Sequence, residues 1–249
     1  MCGRYTITAT PQQLRDIFRY LELPNFPPRY NVAPSQPIPI VRLMNGQRHF
    51  ALVRWGLLPS WVKDPKAFSL LINARGETVN EKASYKAAMK RRRCLIPADG
   101  FYEWQAGGAR KQPYYIRAKS GRPLAFGGLW ETWIGPNGEE LETAAIVTTT
   151  ASRTLQSIHD RMPVIVPPEQ FDLWLGNGDE DIKAATGLIR PAPDDLLEAI
   201  PVSSDVNRVA NDSPSLMEHA EVLVAEPMKV KRTVKPPAPD IDSGQGVLF

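Results

Sequence analysis

Short strand-like segments closed off by turn signals constrain this chain more than any other feature. Candidates stand at 94–97, 101–105, 113–118, 124–130 and 143–149, with breakers such as Pro136-Asn137-Gly138 between them. Segments 38–43 and 49–55 flank Asn45-Gly46, a strong signal for a two-residue hairpin. Residues 2–8 read as a first strand, and Pro163 to Val166 and Ala199 to Ser203 as two more. Helical patterns are fewer. Thr10 caps and Pro11 opens a helix whose Leu14, Ile17, Phe18 and Leu21 make one apolar stripe, ending near Leu23-Pro24. Short helices are also expected at about 80–91, 152–158, 168–175 and 179–187. Pro24, Pro27, Pro28, Pro34, Pro37 and Pro39 make 24–39 irregular, and 56–78 reads the same way. Strands do not alternate with helices, which argues against βαβ winding. The expected fold class is α+β: mainly antiparallel sheet, barrel- or sandwich-like, with short flanking helices.

The 249 residues suit one large domain with a proper core, and 43% hydrophobic with 23% charged residues is an ordinary globular balance. We expect that domain over 1–225. From about Glu226 the chain turns Pro- and Lys-rich, a composition that buries little, so 226–249 is expected to be a flexible tail. No apolar run approaches a membrane span and the N-terminus has no apolar signal region, so no membrane partner is expected. Two cysteines exclude a disulfide scaffold and point to free thiols in a reducing cytoplasm. The net charge of +3 conceals a split: residues 1–125 hold 21 Lys and Arg against 7 Asp and Glu, whereas 126–249 hold 9 against 20. Either the basic half presents a face to a polyanion, or the halves interleave in space and cancel.

Cys2 is the most informative residue. Removal of Met1 would leave a 1,2-aminothiol, whose α-amine has a reference pKa of about 8 against about 10.4 for lysine. Amine and thiol on adjacent carbons trap an aldehyde twice, as a Schiff base and then as a five-membered thiazolidine. The alternative is a small residue opening a strand. Glu103 lies in an apolar, aromatic strand, where burial would raise its pKa toward acid–base duty and strand alternation would leave it in solvent. His159 pairs with Cys2 only if the fold joins them; otherwise it is structural. Trp61 is the better candidate for exposure and base stacking, Trp55 for the core. Asn73 offers an amide to a sugar or holds a turn. Three histidines, with no Cys-x-x-Cys and no His-Glu-x-x-His, give poor metal-site arithmetic.

Six motifs then fall in one order: Met1-Cys2-Gly3-Arg4-Tyr5; Arg29-Tyr30-Asn31-Val32-Ala33-Pro34; Trp55-Gly56-Leu57-Leu58-Pro59; Asn73-Ala74-Arg75-Gly76-Glu77-Thr78; the stretch from Arg93 to Trp104; and His159-Asp160-Arg161-Met162-Pro163. Over about 2–225 the chain resembles the SOS-response-associated peptidase (SRAP) family. The resemblance implies an abasic-site sensor in single-stranded DNA that crosslinks the ring-opened sugar through Cys2 and shields the lesion. It further implies removal of its own Met1, with peptidase-type, hydrolase and lyase-like chemistry. The capture chemistry it implies requires neither metal nor organic cofactor. By motif, Cys2 is the nucleophile, Asn73 positions the sugar, Glu103 is the acid–base and His159 the proton shuttle. Arg4, Arg75 and Arg161 would hold phosphates, and Trp61 would stack. A cytoplasmic monomer at the nucleoid or replication fork is expected.

Gln245-Gly246-Val247-Leu248-Phe249 resembles the Gln-x-x-Leu-Phe peptides that dock on the bacterial sliding clamp, which makes Gln245, Leu248 and Phe249 candidate clamp contacts. Two other readings use the same residues. A thiol peptidase or N-terminal-nucleophile hydrolase acting on other proteins would tolerate Cys2→Ser, which cannot close a thiazolidine. A binding module without chemistry would survive Cys2→Ala.

Overall fold

The structure, a computed structural model, describes residues 2–106, 111–176 and 179–222. The tail and its clamp peptide, and Met1, therefore lie outside the described residues. Twelve strands, four α-helices and four short 3-10 helices account for the regular structure described. Five strands close a barrel: β3 (Pro37–Met44), β4 (Gln47–Trp55), β6 (Arg93–Ala98), β9 (Leu124–Ile134) and β10 (Glu140–Thr150), in the order β10-β4-β3-β6-β9, with β9 pairing back to β10. All these pairings are antiparallel except β10 with β4. Two short strands extend β10 toward its C-terminus, β5 (Asn73–Arg75) in parallel and β11 (Arg161–Pro163) in antiparallel. A second, wholly antiparallel sheet runs β12 (Leu197–Pro201), β8 (Gln112–Ala118), β7 (Gly100–Gln105), β1 (Tyr5–Ile7), β2 (Arg29–Val32).

One core joins the two sheets. Tyr5 of β1 meets Trp55 of β4 edge-on at 5.5 Å, and Phe101 of β7 meets Phe126 of β9 at 5.8 Å; all four rings are buried. The expectation of mainly antiparallel sheet with short helices holds, and the barrel alternative is realised. Asn45 and Gly46 both take positive φ, as the hairpin turn between β3 and β4 requires.

Helix α1 (Pro11–Phe18) starts where the sequence indicates, with Thr10 and Gln13 forming a reciprocal capping box. It stops earlier than the apolar stripe suggests. Arg19 turns left-handed, the Phe18 carbonyl accepts from Arg48 at 2.9 Å, and Leu21 is left 49% exposed. The region expected as a helix over 80–91 is helical only as α2 (Lys86–Arg91), because a 3-10 turn at Gly76–Thr78 and further turns occupy what precedes it. The stretch 152–158 is a run of turns rather than a helix, and it swings Leu155 and Ile158 inward. Near the expected positions lie α3 (Phe171–Leu175) and α4 (Asp179–Gly187). Strands β2 and β5 lie in stretches expected to be irregular; each is short and has its ladder supplied by a distant partner.

The charge split does not survive folding intact. Arg29–Asp212, Arg42–Glu142, Arg48–Asp172, Arg92–Glu131 and Arg117–Glu198 each pair a base of the first half with an acid of the second. The halves interleave at these places, so half-chain arithmetic overstates the basic face.

Candidate functional site

Cys2 leads into β1, and the ladder between β1 and β7 continues beyond Tyr5–Phe101, with the Tyr102 N–H donating to the Arg4 carbonyl at 2.9 Å. That register carries Glu103 toward the first residues of the chain. From the barrel side, β5 brings Asn73, whose Nδ2 donates to the Cys2 carbonyl at 2.9 Å. His159, just ahead of β11, comes within 3.9 Å of Glu103 through Nε2. Two of these side chains stand on each sheet, so the site is assembled at the seam. Tyr85 fixes Asn73 from below, donating from its hydroxyl to the Asn73 carbonyl at 3.0 Å.

The electrostatics follow from burial. Cys2 is wholly inaccessible, and desolvation pushes its thiol well above the ordinary value, with the Glu103 carboxylate adding to the rise. Glu103 is only 3% exposed, and burial pushes its carboxyl up to about 7. Burial lowers the imidazole of His159. Its Nδ1 accepts from the Arg161 N–H at 2.9 Å, which selects the neutral tautomer protonated on Nε2, the nitrogen facing Glu103. The Asp160 carboxylate also stands 3.0 Å from Nδ1, a contact that becomes attractive only when the ring is charged. With the ring neutral, the Arg161 N–H is the bond that sets its orientation. A carboxyl titrating near 7 takes up or gives up a proton at little cost near neutral pH, and the neutral imidazole turns an Nε2–H toward it. At 3.9 Å the contact is longer than a hydrogen bond and acts electrostatically. The Asn73 Oδ1 is buried without a partner among the described residues, an acceptor left for a hydroxyl or N–H.

The basic residues divide. Arg75, at the end of β5, is exposed and makes no ion pair among the described residues. Arg4 is spent inside the protein: its Nη1 donates to Asn31 Oδ1 at 2.9 Å and to the Val206 carbonyl at 2.8 Å. Arg161 forms a two-pronged pair with Glu77, at 2.6 and 3.0 Å, and reaches the Thr148 carbonyl at 2.7 Å. Trp61 is 56% exposed and edge-on to Phe68, on the loop that ends at Asn73, whereas Trp55 is buried and donates to the Ile72 carbonyl.

Two residues with structural weight were not singled out by sequence reasoning. Asn31 is fully buried and its Nδ2 faces the carbonyls of Val206, Arg208 and Asn211, so it organises the loop beside Arg4. Glu77 anchors Arg161, and that bond holds its carboxyl below the usual range. Both lie in the quoted motifs, which was the available signal.

A family model described as SOS response associated peptidase (SRAP) matches residues 1–209. A Bacillus subtilis protein named abasic site processing protein YoqW is 40% identical over 222 residues, covering 88% of this chain and 99% of that one. Abasic site processing protein HMCES of Xenopus tropicalis is 34% identical over 262 residues, covering 87% of this chain and 78% of the relative. A crystal structure of a Bacteroides thetaiotaomicron protein superposes with a TM-score of 0.79 at 25% identity, over 88% of this chain and all of that one. With the model spanning most of its length, the chain belongs to the SOS response associated peptidase (SRAP) family.

Proposed function

We propose that this protein processes abasic sites in single-stranded DNA by covalent capture through Cys2. The observation that carries the reading is the Asn73 bond to the Cys2 backbone beside the Glu103–His159 pair, in a chain whose relatives bear the name abasic site processing protein. Once Met1 is removed, by the protein itself, the Cys2 amine attacks the C1 aldehyde of the ring-opened sugar. Loss of one water gives a Schiff base. The thiol then adds across the carbon–nitrogen double bond, its proton passing to nitrogen, and a thiazolidine closes with the lesion shielded. Opening of the sugar hemiacetal takes a proton from the hydroxyl and returns one to the ring oxygen, which Glu103 and His159 supply between them. Such help is typically worth about 10²–10⁴-fold. β-Elimination from the Schiff base, with a proton lost from the sugar C2 and the 3′-phosphate leaving from C3, would give lyase-like behaviour from the same groups.

Arg75 is the best placed of the basic residues to hold phosphate, because its guanidinium is exposed. Arg4 and Arg161 meet the strand, in this reading, only through the surfaces they brace. Trp61 offers a stacking face. The protein acts as a monomer, and Gln245, Leu248 and Phe249 tether it to the sliding clamp at replication forks. Clamp pull-down tests the tether; recovery unchanged by Leu248→Ala/Phe249→Ala would remove it.

Mass spectrometry of the protein incubated with a single-stranded abasic oligonucleotide tests the capture. The expected adduct is the chain lacking Met1 plus the DNA less one water. Cys2→Ala should give none, and Cys2→Ser none that survives denaturation. An adduct that retains Met1 would overturn the mechanism. The competing reading, a peptidase acting on other proteins, predicts retained activity in Cys2→Ser.

A further inference from the structure

Arg4, just ahead of β1, and Trp104, on the neighbouring β7, stand beside the Cys2 thiol and the Glu103 carboxyl. Arg4 turns its backbone N–H to the Cys2 sulfur, and Trp104 turns its own to the Glu103 carboxylate. An N–H aimed at an ionisable group favours the charged form, here against the burial that raises both. The aim of these two amides depends on what holds Arg4 and Trp104. Both side chains run to one place. Arg4 donates from Nη1 to the Val206 carbonyl at 2.8 Å and from Nη2 to the Asn207 carbonyl at 3.4 Å. Trp104 donates from Nε1 to Asn207 Oδ1 at 2.7 Å.

The Val206-Asn207 step is itself well anchored. It closes the 3-10 turn Ser204–Asn207, capped by the Ser203 hydroxyl, which accepts from the Asp205 N–H at 3.2 Å. Val206 is buried. The turn and the residues after it are latched to β2. Asn31 Nδ2 donates to the Val206 and Arg208 carbonyls at 3.2 and 3.0 Å, and the Asp212 carboxylate accepts from Arg29 Nε at 2.8 Å and from the Asn31 N–H at 3.0 Å. One fixed support thus carries a neighbour of the nucleophile and a neighbour of the acid–base. We infer that Asn207 is a positioning residue for the capture reaction: through Trp104, and at its backbone through Arg4, it sets the aim of the Glu103 carboxyl relative to the Cys2 sulfur. The inference rests on the roles proposed for Cys2 and Glu103. Misplacement of reacting groups by about 1 Å can cost on the order of 10²-fold in rate, so a support of this kind shows in the kinetics.

Asn207 is exposed, so its side chain can be changed without opening the core. Asn207→Leu removes the acceptor at similar size, and Asn207→Asp keeps it. In single-turnover capture of a single-stranded abasic oligonucleotide, Asn207→Leu should lower the rate at saturating DNA about tenfold and move the half-saturating concentration by less than about twofold. Asn207→Asp should return the rate to within about threefold of the wild type. On a Glu103→Gln background, Asn207→Leu should cost less than about twofold more, because the group it aims is gone. An unchanged rate in Asn207→Leu would overturn the inference. So would an equal cost in both backgrounds, since a residue that only supports the fold acts whatever stands at 103. Carbon-13 NMR of the side-chain carboxyls at fixed pH reads the same link without DNA. The Glu103 resonance should move together with the Trp104 indole N–H in Asn207→Leu and return in Asn207→Asp. A Glu103 resonance that stays while the indole moves would overturn the inference. A wild type that captures no abasic DNA would remove the proposed function, and the resonances would then decide the positioning alone.

Discussion

Glu103 and the arginines around it differ in what each costs and supplies. The Glu103 carboxyl has an ordinary value of 4.5, and burial pushes it up to about 7. Between those values the folded protein keeps a proton that the unfolded chain has released. Stability therefore falls as pH rises through that window, and the loss is complete above about pH 7. Glu103→Gln cannot ionise and removes this penalty. Urea unfolding at pH 5 and pH 8 should show the wild type losing on the order of 2 kcal/mol more than the variant across that interval. Parallel pH profiles would show that ionising Glu103 costs the fold nothing. The same variant should slow crosslinking by about 10²-fold or more if the carboxyl moves protons. Arginines separate in the same manner. Arg161 ties β11 to Glu77 and β10, so Arg161→Ala should cost about 1–3 kcal/mol of stability by removing a mostly buried charge from its partners. Arg75 is exposed, so Arg75→Ala should leave stability within about 0.5 kcal/mol. It should instead weaken single-strand binding and reduce the slope of log affinity against log salt by about 0.7, the value for one phosphate contact. An unchanged slope would take Arg75 off the DNA.

At the scale of elements, legibility followed how local each instruction is. The β3–β4 hairpin was readable because Asn45-Gly46 meets a turn geometry that few other residues adopt, and the start of α1 because its cap lies within four residues. Its end was not readable, since a side chain on β4, Arg48, takes the last carbonyl. Strands β2 and β5 were missed for the same reason: three or four residues become a strand only when a distant partner supplies the ladder. In the site, the identities of Cys2, Asn73, Glu103 and His159 came from motif resemblance. Composition and spacing left each with a structural alternative, and the seam that brings them together exists only in three dimensions. The charge split misled for a related reason, because sequence order carries no distance between Arg48 and Asp172. Two glycines test how much a turn or loop depends on its neighbours. Gly46 has φ of +76° and nothing near a future Cβ, so Gly46→Ala should cost only the backbone strain, about 1 kcal/mol. Gly56 has φ of +131° and its Cβ would fall 2.1 Å from Leu70 Cδ1, so the Leu70 side chain, 42% exposed, must turn away. Gly56→Ala carries that displacement on top of the backbone strain and should therefore cost more than Gly46→Ala by chemical denaturation.

The whole molecule is a barrel and a sheet that share one core, and the site depends on their staying in register. Glu103 stands on the sheet and Cys2 leads into its β1, whereas Asn73 stands on β5, added to the barrel, and His159 lies just ahead of β11. If the two layers moved separately, the Asn73 bond to the Cys2 carbonyl and the 3.9 Å approach of His159 to Glu103 would fail before either layer unfolded. The packing argues against separate motion. Tyr5 is edge-on to both Trp55 and Phe126, at 5.5 and 6.2 Å, so one ring of the sheet is clamped by two of the barrel. Phe101 closes on Phe126 from the neighbouring strand. Phe126 is thus the ring at which both contacts meet, and it is wholly buried. Phe126→Ala should cost about 3–5 kcal/mol, the range for removing a buried phenylalanine ring. Because one core spans both layers, the variant should still unfold in a single transition, with tryptophan fluorescence, far-UV dichroism and loss of DNA capture falling together in urea. Capture lost at clearly lower urea than the dichroism would mean that the layers part first, and that the seam rather than the core limits how firmly Cys2, Asn73, Glu103 and His159 are held together.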